Sequence, residues 1–139
     1  MGQNRISLKK ATEFHGHLGP WLVLGILMGE RALKLIQAKK YFGVRVKVWG
    51  VSKKPRSCLI DGLQLSTGAT FGKGNIIKLN GERVKTELLN IKNGKKAVFK
   101  LQNKILSELI AVKSHKDSEF LARRLYKTKL SDILLITKD

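Results

Sequence analysis

Eight consecutive residues, Trp21 to Met28 (Trp-Leu-Val-Leu-Gly-Ile-Leu-Met), carry no polar side chain. A segment that is apolar on every side has no face to give to water, so the rest of the chain must be built around it. Pro20 stands directly before it, where the first turn of a helix tolerates a missing N–H. Apolar spacing continues beyond it, which predicts a helix over about 20–37 at the centre of the core. Gly25 and Gly29 fall four residues apart on one face of that helix and let a second backbone come close. The apolar run ends at Gly29-Glu30-Arg31, well short of the roughly 20 residues that cross a bilayer.

The remaining elements read off by period. Ser7 to about Phe14 is a short helix with Leu8, Ala11, Thr12 and His15 on one face, which points His15 inward. Gly43 to Val51 alternates with β-branched residues and is a strand with one buried face. Lys53-Lys54-Pro55-Arg56 is a loop, and a third helix starts near Ser57 and stops at Thr67-Gly68. Ile76–Leu79 and Val84–Ile91 read as strands joined through Asn80-Gly81. Asn93-Gly94 marks a hairpin before Ala97, since both positions tolerate positive φ. From Leu101 the apolar spacing lengthens into two terminal helices that break near Ser114 to Asp117. The expectation is an α+β chain, a single domain over 1–139, with an antiparallel sheet packed against helices and with C-terminal helices after it.

Composition narrows the function classes. At 42% hydrophobic and 27% charged residues the chain has the make-up of a folded domain. Met1–Lys10 lacks the apolar stretch of a secretory signal, and Ile6 stands where a myristoylation motif needs Ser or Thr, so a cytoplasmic protein is expected. Cys58 is the single cysteine, which excludes an intrachain disulfide and a zinc ribbon. Twenty-eight Lys and Arg against ten Asp and Glu give +18, a field that draws anionic partners. The basic residues come as scattered doublets such as Lys39-Lys40 and Arg123-Arg124. Scatter of this kind does not favour nucleic acid as the partner, because a nucleic-acid footprint is clustered.

Three constellations carry chemistry. His15 and His17 would lie about 200° apart on a continuous helix, so they meet one ion only if the helix stops between them. Gly16 and Gly19-Pro20 supply that break. Otherwise one histidine belongs to the core and one to the surface. Cys58 and Asp61 share a face of the third helix at i, i+3, and a first-turn cysteine feels the positive helix end, which favours thiolate, the metal-binding and nucleophilic form. A buried, inert cysteine is the competing reading. Gly68-Ala69-Thr70-Phe71-Gly72-Lys73-Gly74-Asn75 is a structural turn or an anion nest. It is not a Walker A loop, since three residues rather than four separate Gly68 from Gly72 and Gly74 replaces the hydroxyl residue.

Phe14-His15-Gly16-His17-Leu18-Gly19-Pro20, Cys58-Leu-Ile-Asp61-Gly-Leu-Gln64 and Thr67-Gly68-Ala69-Thr70-Phe71-Gly72-Lys73-Gly74-Asn75 together resemble the core domain of the FmdE family of formylmethanofuran dehydrogenase components. The pattern there is approximately Phe-His-Gly-His-x-Cys-Pro, a Cys-x-x-Asp helix and Thr-Gly-Cys-Thr-x-Gly-Lys-Gly-Asn, in the same order. The resemblance implies an α+β core that dimerises and a transition-metal site, usually taken as zinc. The family is named for a component encoded with an enzyme that forms or oxidises formylmethanofuran on a molybdenum or tungsten pterin. Two positions depart from the pattern: Gly19 and Ala69 stand where the family has cysteines. Relatives often append a cysteine-rich zinc finger, which a chain without cysteine beyond Cys58 is expected to lack.

The expected site therefore places His15, His17 and Cys58 around zinc or another divalent transition metal. Cys58 and Asp61 are the candidates for chemistry, with Asp61 as orienter or proton acceptor. Thr70, Gly72, Lys73, Gly74 and Asn75 hold an anionic group of a small-molecule substrate. The expected partner is a second copy of the chain, with no membrane. A basic nucleic-acid or partner-binding module on the same scaffold is the alternative.

Overall fold

The computed structural model describes residues 5–138; Met1–Asn4 and Asp139 lie outside the described residues, and with them the first part of the polar N-terminal segment. Helix α1 (Leu8–His15) is opened by Ser7, whose side chain accepts from the Lys10 amide, and closed by Gly16 in the left-handed region at φ 105°. Only a residue without Cβ enters that region at no steric cost. Beyond that turn α2 (Pro20–Leu35) begins with proline in its first turn, and every residue from Pro20 to Gly29 is buried.

Helix α3 (Cys58–Thr67) lies directly on α2. The approach is closer than ordinary side chains permit. A Cβ on Gly25 would stand 2.2 Å from the Leu59 carbonyl oxygen, and one on Gly62 2.1 Å from the Leu22 carbonyl oxygen. One turn on, Gly29 faces Ser66, whose hydroxyl donates to the Gly62 carbonyl at 2.8 Å. Small residues four apart on both helices thus interlock, and Gly25 and Gly29 are used inside one chain.

The sheet lies on the other side of α2. Strands β1 (Val44–Trp49), β2 (Ile76–Leu79), β3 (Lys85–Asn90), β4 (Lys96–Leu101) and β5 (Leu134–Lys138) are ordered β2-β1-β3-β4-β5. Val44, Val46, Val48, Leu88, Ala97 and Phe99 alternate into the core at 1% exposure or less, each of the larger ones worth about 1.5–3 kcal/mol of burial. The alternation is that of a sheet with one covered face. The β3–β4 hairpin forms as expected, with the Gly94 amide donating to Asn90 and Gly94 at φ 79°.

The expected antiparallel sheet is found, with two details added. It is antiparallel except at one edge, where β2 runs parallel to β1. Asn80-Gly81 does not turn β2 back on itself: the connection passes over the end of β1, with Arg83 against Gly50 and Gly81 against Trp49. The C-terminal segment is also not all helix. After α4 (Asn103–Ile110), α5 (His115–Tyr126) and a short 3-10 turn at Leu130–Asp132, the chain returns as β5 along β4. The core anchors it, since Ile133 and Leu134 are buried. The break between the terminal helices falls where expected, with the Ser114 side chain accepting from the Asp117 amide. Leu121, Ala122 and Leu125 of α5 are buried in the core that surrounds α2. No described helix is long and apolar enough to cross a membrane.

Candidate metal centre

The left-handed turn at Gly16 is what lets two histidines of one short motif face each other. His15 closes α1 and His17 lies past the turn, and their ring centroids are 4.8 Å apart. Two imidazoles on one tetrahedral ion, with nitrogen about 2.0–2.1 Å from the metal, have centroids roughly 5 Å apart. The third donor comes from α3, whose first residue is Cys58. Donor atoms of His15, His17 and Cys58 all lie within 4.8 Å of one another.

Asp61, one turn into α3, reaches His15. Its Oδ2 is 2.6 Å from His15 Nδ1. An ionised carboxylate only accepts, so Nδ1 carries the proton and donates, and the lone pair is left on Nε2. Nε2 is buried with no hydrogen-bond partner among the described residues, in a side chain that is 10% exposed. A buried, unpartnered imidazole nitrogen on a residue whose donor atoms cluster with a thiol and a second imidazole is the arrangement a metal ion completes. A carboxylate on the other nitrogen is the usual support for a metal-binding imidazole. The donor set, two imidazoles and one sulfur, suits a borderline-soft ion such as zinc.

The expected ease of forming the Cys58 thiolate is not found in the metal-free protein. Burial pushes the thiol above its ordinary value, and the nearby Asp61 carboxylate adds to the rise, with Lys54 opposing both. The helix end gives little help because its amides are already used. Those of Cys58, Leu59 and Ile60 donate to Pro55, Arg56 and Ser57 carbonyls in the preceding turn. A cation at the site reverses the balance by adding positive charge beside the sulfur.

At Gly19 the absence of a side chain lets α5 come close to His17. A Cβ built there would be 3.3 Å from the His17 ring and 3.2 Å from the Ser118 hydroxyl. At the start of the same helix, His115 packs edge-on against His17 with centroids 6.4 Å apart. Sequence reasoning passed over His115, which stands alone in the chain about a hundred residues from its neighbours. The signal available was its type: it is the third of three histidines.

The Thr70–Asn75 loop is not beside Cys58. It follows α3 at the opposite end, a helix length of about 15 Å away. Amides of Thr70, Phe71, Lys73 and Gly74 donate to Asn75, Gln64, Thr70 and the Thr70 carbonyl within the protein. Asn75 in turn donates to the Tyr41 carbonyl at 2.6 Å. Lys73 Nζ lies 5.5 Å from the Phe42 ring and 6.0 Å from the Tyr41 ring. Gly72 has open space beside it, and Gly74 turns the chain at φ 74°.

The sequence matches the family described as "FmdE, Molybdenum formylmethanofuran dehydrogenase operon" over residues 14–135. A "Probable S-adenosyl-L-methionine-binding protein" of Archaeoglobus fulgidus is 32% identical over 75 residues, covering 52% of this chain and 20% of that protein. The chain thus spans about a fifth of that relative's length. Among solved structures, an FmdE-like protein of tungsten formylmethanofuran dehydrogenase type from Syntrophus aciditrophicus superimposes with a TM-score of 0.70 at 23% identity, covering 95% of this chain and 69% of that one. That likeness shows a shared fold. With the histidine, cysteine and glycine-loop motifs all inside the matched residues, the chain belongs to the FmdE family.

Proposed function

We propose that the chain is a metal-binding protein in which His15, His17 and Cys58 hold one divalent transition-metal ion, with zinc the first to test. The observation that carries this reading is the buried, unpartnered Nε2 of His15, on a ring fixed by Asp61 in a residue whose donor atoms cluster with those of His17 and Cys58. Three protein ligands leave one position open, and a bound ion supplies there a Lewis-acidic point for a substrate donor or water. Asp61 holds the proton on His15 Nδ1 and so fixes the ring. Cys58 must release its thiol proton as the ion enters, and Asp61, close enough to raise the thiol pKa and 38% exposed, can pass that proton to solvent. His17 closes the site on its exposed side, with His115 behind it.

The family supports a place in one-carbon or molybdopterin-linked metabolism, in which the ion binds substrate or acts with Cys58 and Asp61. The A. fulgidus relative described as S-adenosyl-L-methionine-binding is in keeping with a one-carbon setting. A second copy of the chain is part of the proposal on the family's habit alone, because the glycines of α2 are covered by α3. Light scattering that gives a monomer mass removes the dimer.

The test is elemental analysis of untagged protein offered zinc, cobalt or iron under reducing conditions. One ion per chain is expected. The cobalt form should show the visible bands of a tetrahedral, sulfur-ligated ion, lost in Cys58→Ala. A chain that takes up none of the three keeps the family fold without a metal site.

A further inference from the structure

A cavity of about 820 Å³ lies away from the metal centre, between the C-terminal half of α2 and the C-terminal end of α5. Six basic side chains line it: Arg5, Arg31, Lys34, Lys40, Lys127 and Lys129. The one carboxylate in the lining, Glu30, is already engaged by the Arg5 guanidinium at 3.6 Å and the Ile6 amide at 2.7 Å. Arg5 is itself stacked 4.0 Å from the Tyr126 ring. Among the described residues no carboxylate lies within ion-pair distance of Arg31, Lys34, Lys40, Lys127 or Lys129. Lys34 and Lys127 complement the negative ends of α2 and α5. That role does not account for Arg31, Lys40 and Lys129, which leaves cations gathered in a concavity with no carboxylate to pair with, the electrostatic setting that attracts an anion.

Tyr41 sits at the rim with its ring 56% exposed. Its backbone is held in the left-handed region at φ 73°, where a bulky residue is under strain. Two bonds impose that conformation: the Tyr41 amide donates to Thr67 at 2.8 Å, and Asn75 donates to its carbonyl. The glycine-rich loop thus presents an aromatic face beside a nest of cations, with Lys73 above the same ring.

We propose that this groove binds a small molecule carrying several phosphate charges and an aromatic ring, a nucleoside polyphosphate being the class. The cations converge on one concavity whose volume is that of a small-molecule site. A concavity lined on several sides by cations suits a compact polyanion better than an extended strand. Guanidinium and ammonium groups meet the phosphates, and Tyr41 stacks on the base. The proposal stands apart from the metal centre and needs no ion there.

Calorimetric titration at physiological salt with ATP, tripolyphosphate, adenosine and a short single-stranded RNA tests it. ATP is expected to bind tighter than tripolyphosphate, and adenosine weakly. Arg31→Gln with Lys129→Gln should weaken ATP roughly a hundredfold, since each lost charged hydrogen bond is worth about tenfold or more. Lys34→Gln with Lys127→Gln gives an independent check. The charge-matched pair Lys9→Gln with Lys10→Gln, exposed on α1, should leave binding almost unchanged. Tyr41→Asn, which tolerates the left-handed backbone, should bring ATP to the level of tripolyphosphate. Absence of ATP and tripolyphosphate binding overturns the proposal. So does equal weakening by the groove and control pairs, which marks the +18 field alone. RNA binding tighter than ATP and rising with strand length makes the surface a single-strand site instead.

Discussion

The two ends of the α2–α3 pair are chemically opposite. At the start of α2 and α3 the chain gathers two imidazoles, a thiol and a carboxylate. Past their C-terminal ends it gathers lysines and arginines around a cavity. One packed pair of helices separates them, and the glycines that allow the packing lie between. A net charge of +18 therefore says little about any one place on the surface. Six of the 28 basic residues line that cavity, and beside Cys58 the Asp61 carboxylate opposes Lys54.

The largest expected effect comes from destroying the separation itself. Gly25→Leu sets a side chain where a Cβ already stands 2.2 Å from a backbone oxygen. It should cost more than about 4 kcal/mol and abolish cooperative unfolding, since the clash is with backbone and cannot be relieved by a rotamer change. Urea denaturation measures it, and both ends should fail together. If Gly25→Leu unfolds like wild type, the helices are not packed as described.

Next come changes confined to one end. Cys58→Ala should remove metal uptake while leaving ATP binding in the groove intact, and His17→Ala should act in the same direction. A competition assay with a calibrated chelator reads the first, and calorimetry the second. Asp61→Asn should weaken metal binding about 10–100-fold with little loss of fold, as removal of a ligand's hydrogen-bonding carboxylate does elsewhere. If Asp61→Asn weakens metal no less in a His15→Ala background than in wild type, Asp61 does not act through His15.

The pH dependence has a definite sign. Burial and Asp61 raise the Cys58 pKa, so at neutral pH the thiol holds its proton and an entering metal must displace it. Apparent metal affinity should rise about tenfold per pH unit from this proton alone and level off only above the ordinary thiol range. In the metal-free protein the same shift slows alkylation of Cys58 by iodoacetamide until the pH is correspondingly high. Fast alkylation at neutral pH contradicts the assignment. The smallest effect is expected at the glycine-rich loop. Lys73→Ala should change stability by less than about 0.5 kcal/mol, as exposed substitutions do, while reducing anion binding in the groove severalfold by removing a charge beside Tyr41.

What could be read in the sequence was what local pattern controls. The all-apolar α2, the break at Gly16 that turns His15 towards His17, the pairing of Cys58 with Asp61 on α3 and the Asn93-Gly94 hairpin are each set within a few residues. What could not be read depends on partners far along the chain. Asn80-Gly81 joins two strands that are neighbours in the chain, yet β2 pairs with β1, because Arg83 and Gly81 pack against Gly50 and Trp49 and carry the chain past the sheet end. The β5 segment offers the same apolar residues to a helix or a strand, and the free edge of β4 decides. Gly25 and Gly29 advertised a close contact without saying with whom; Gly62 and Ser66 are the answer. His115 reaches the metal centre only because α5 folds back on α2.

Helix α5 has a part in both regions. Its first turn puts His115 and Ser118 beside His17 and Gly19, and its last residue with the segment after it walls the groove. Between them stretches a single rigid rod about 18 Å long, bedded on the core through Leu121, Ala122 and Leu125. Were either ligand to shift that rod, the other site would feel it, and thermodynamic reciprocity would make the two effects equal. The strength of that linkage is a single number, obtained by measuring either dissociation constant with and without the second ligand.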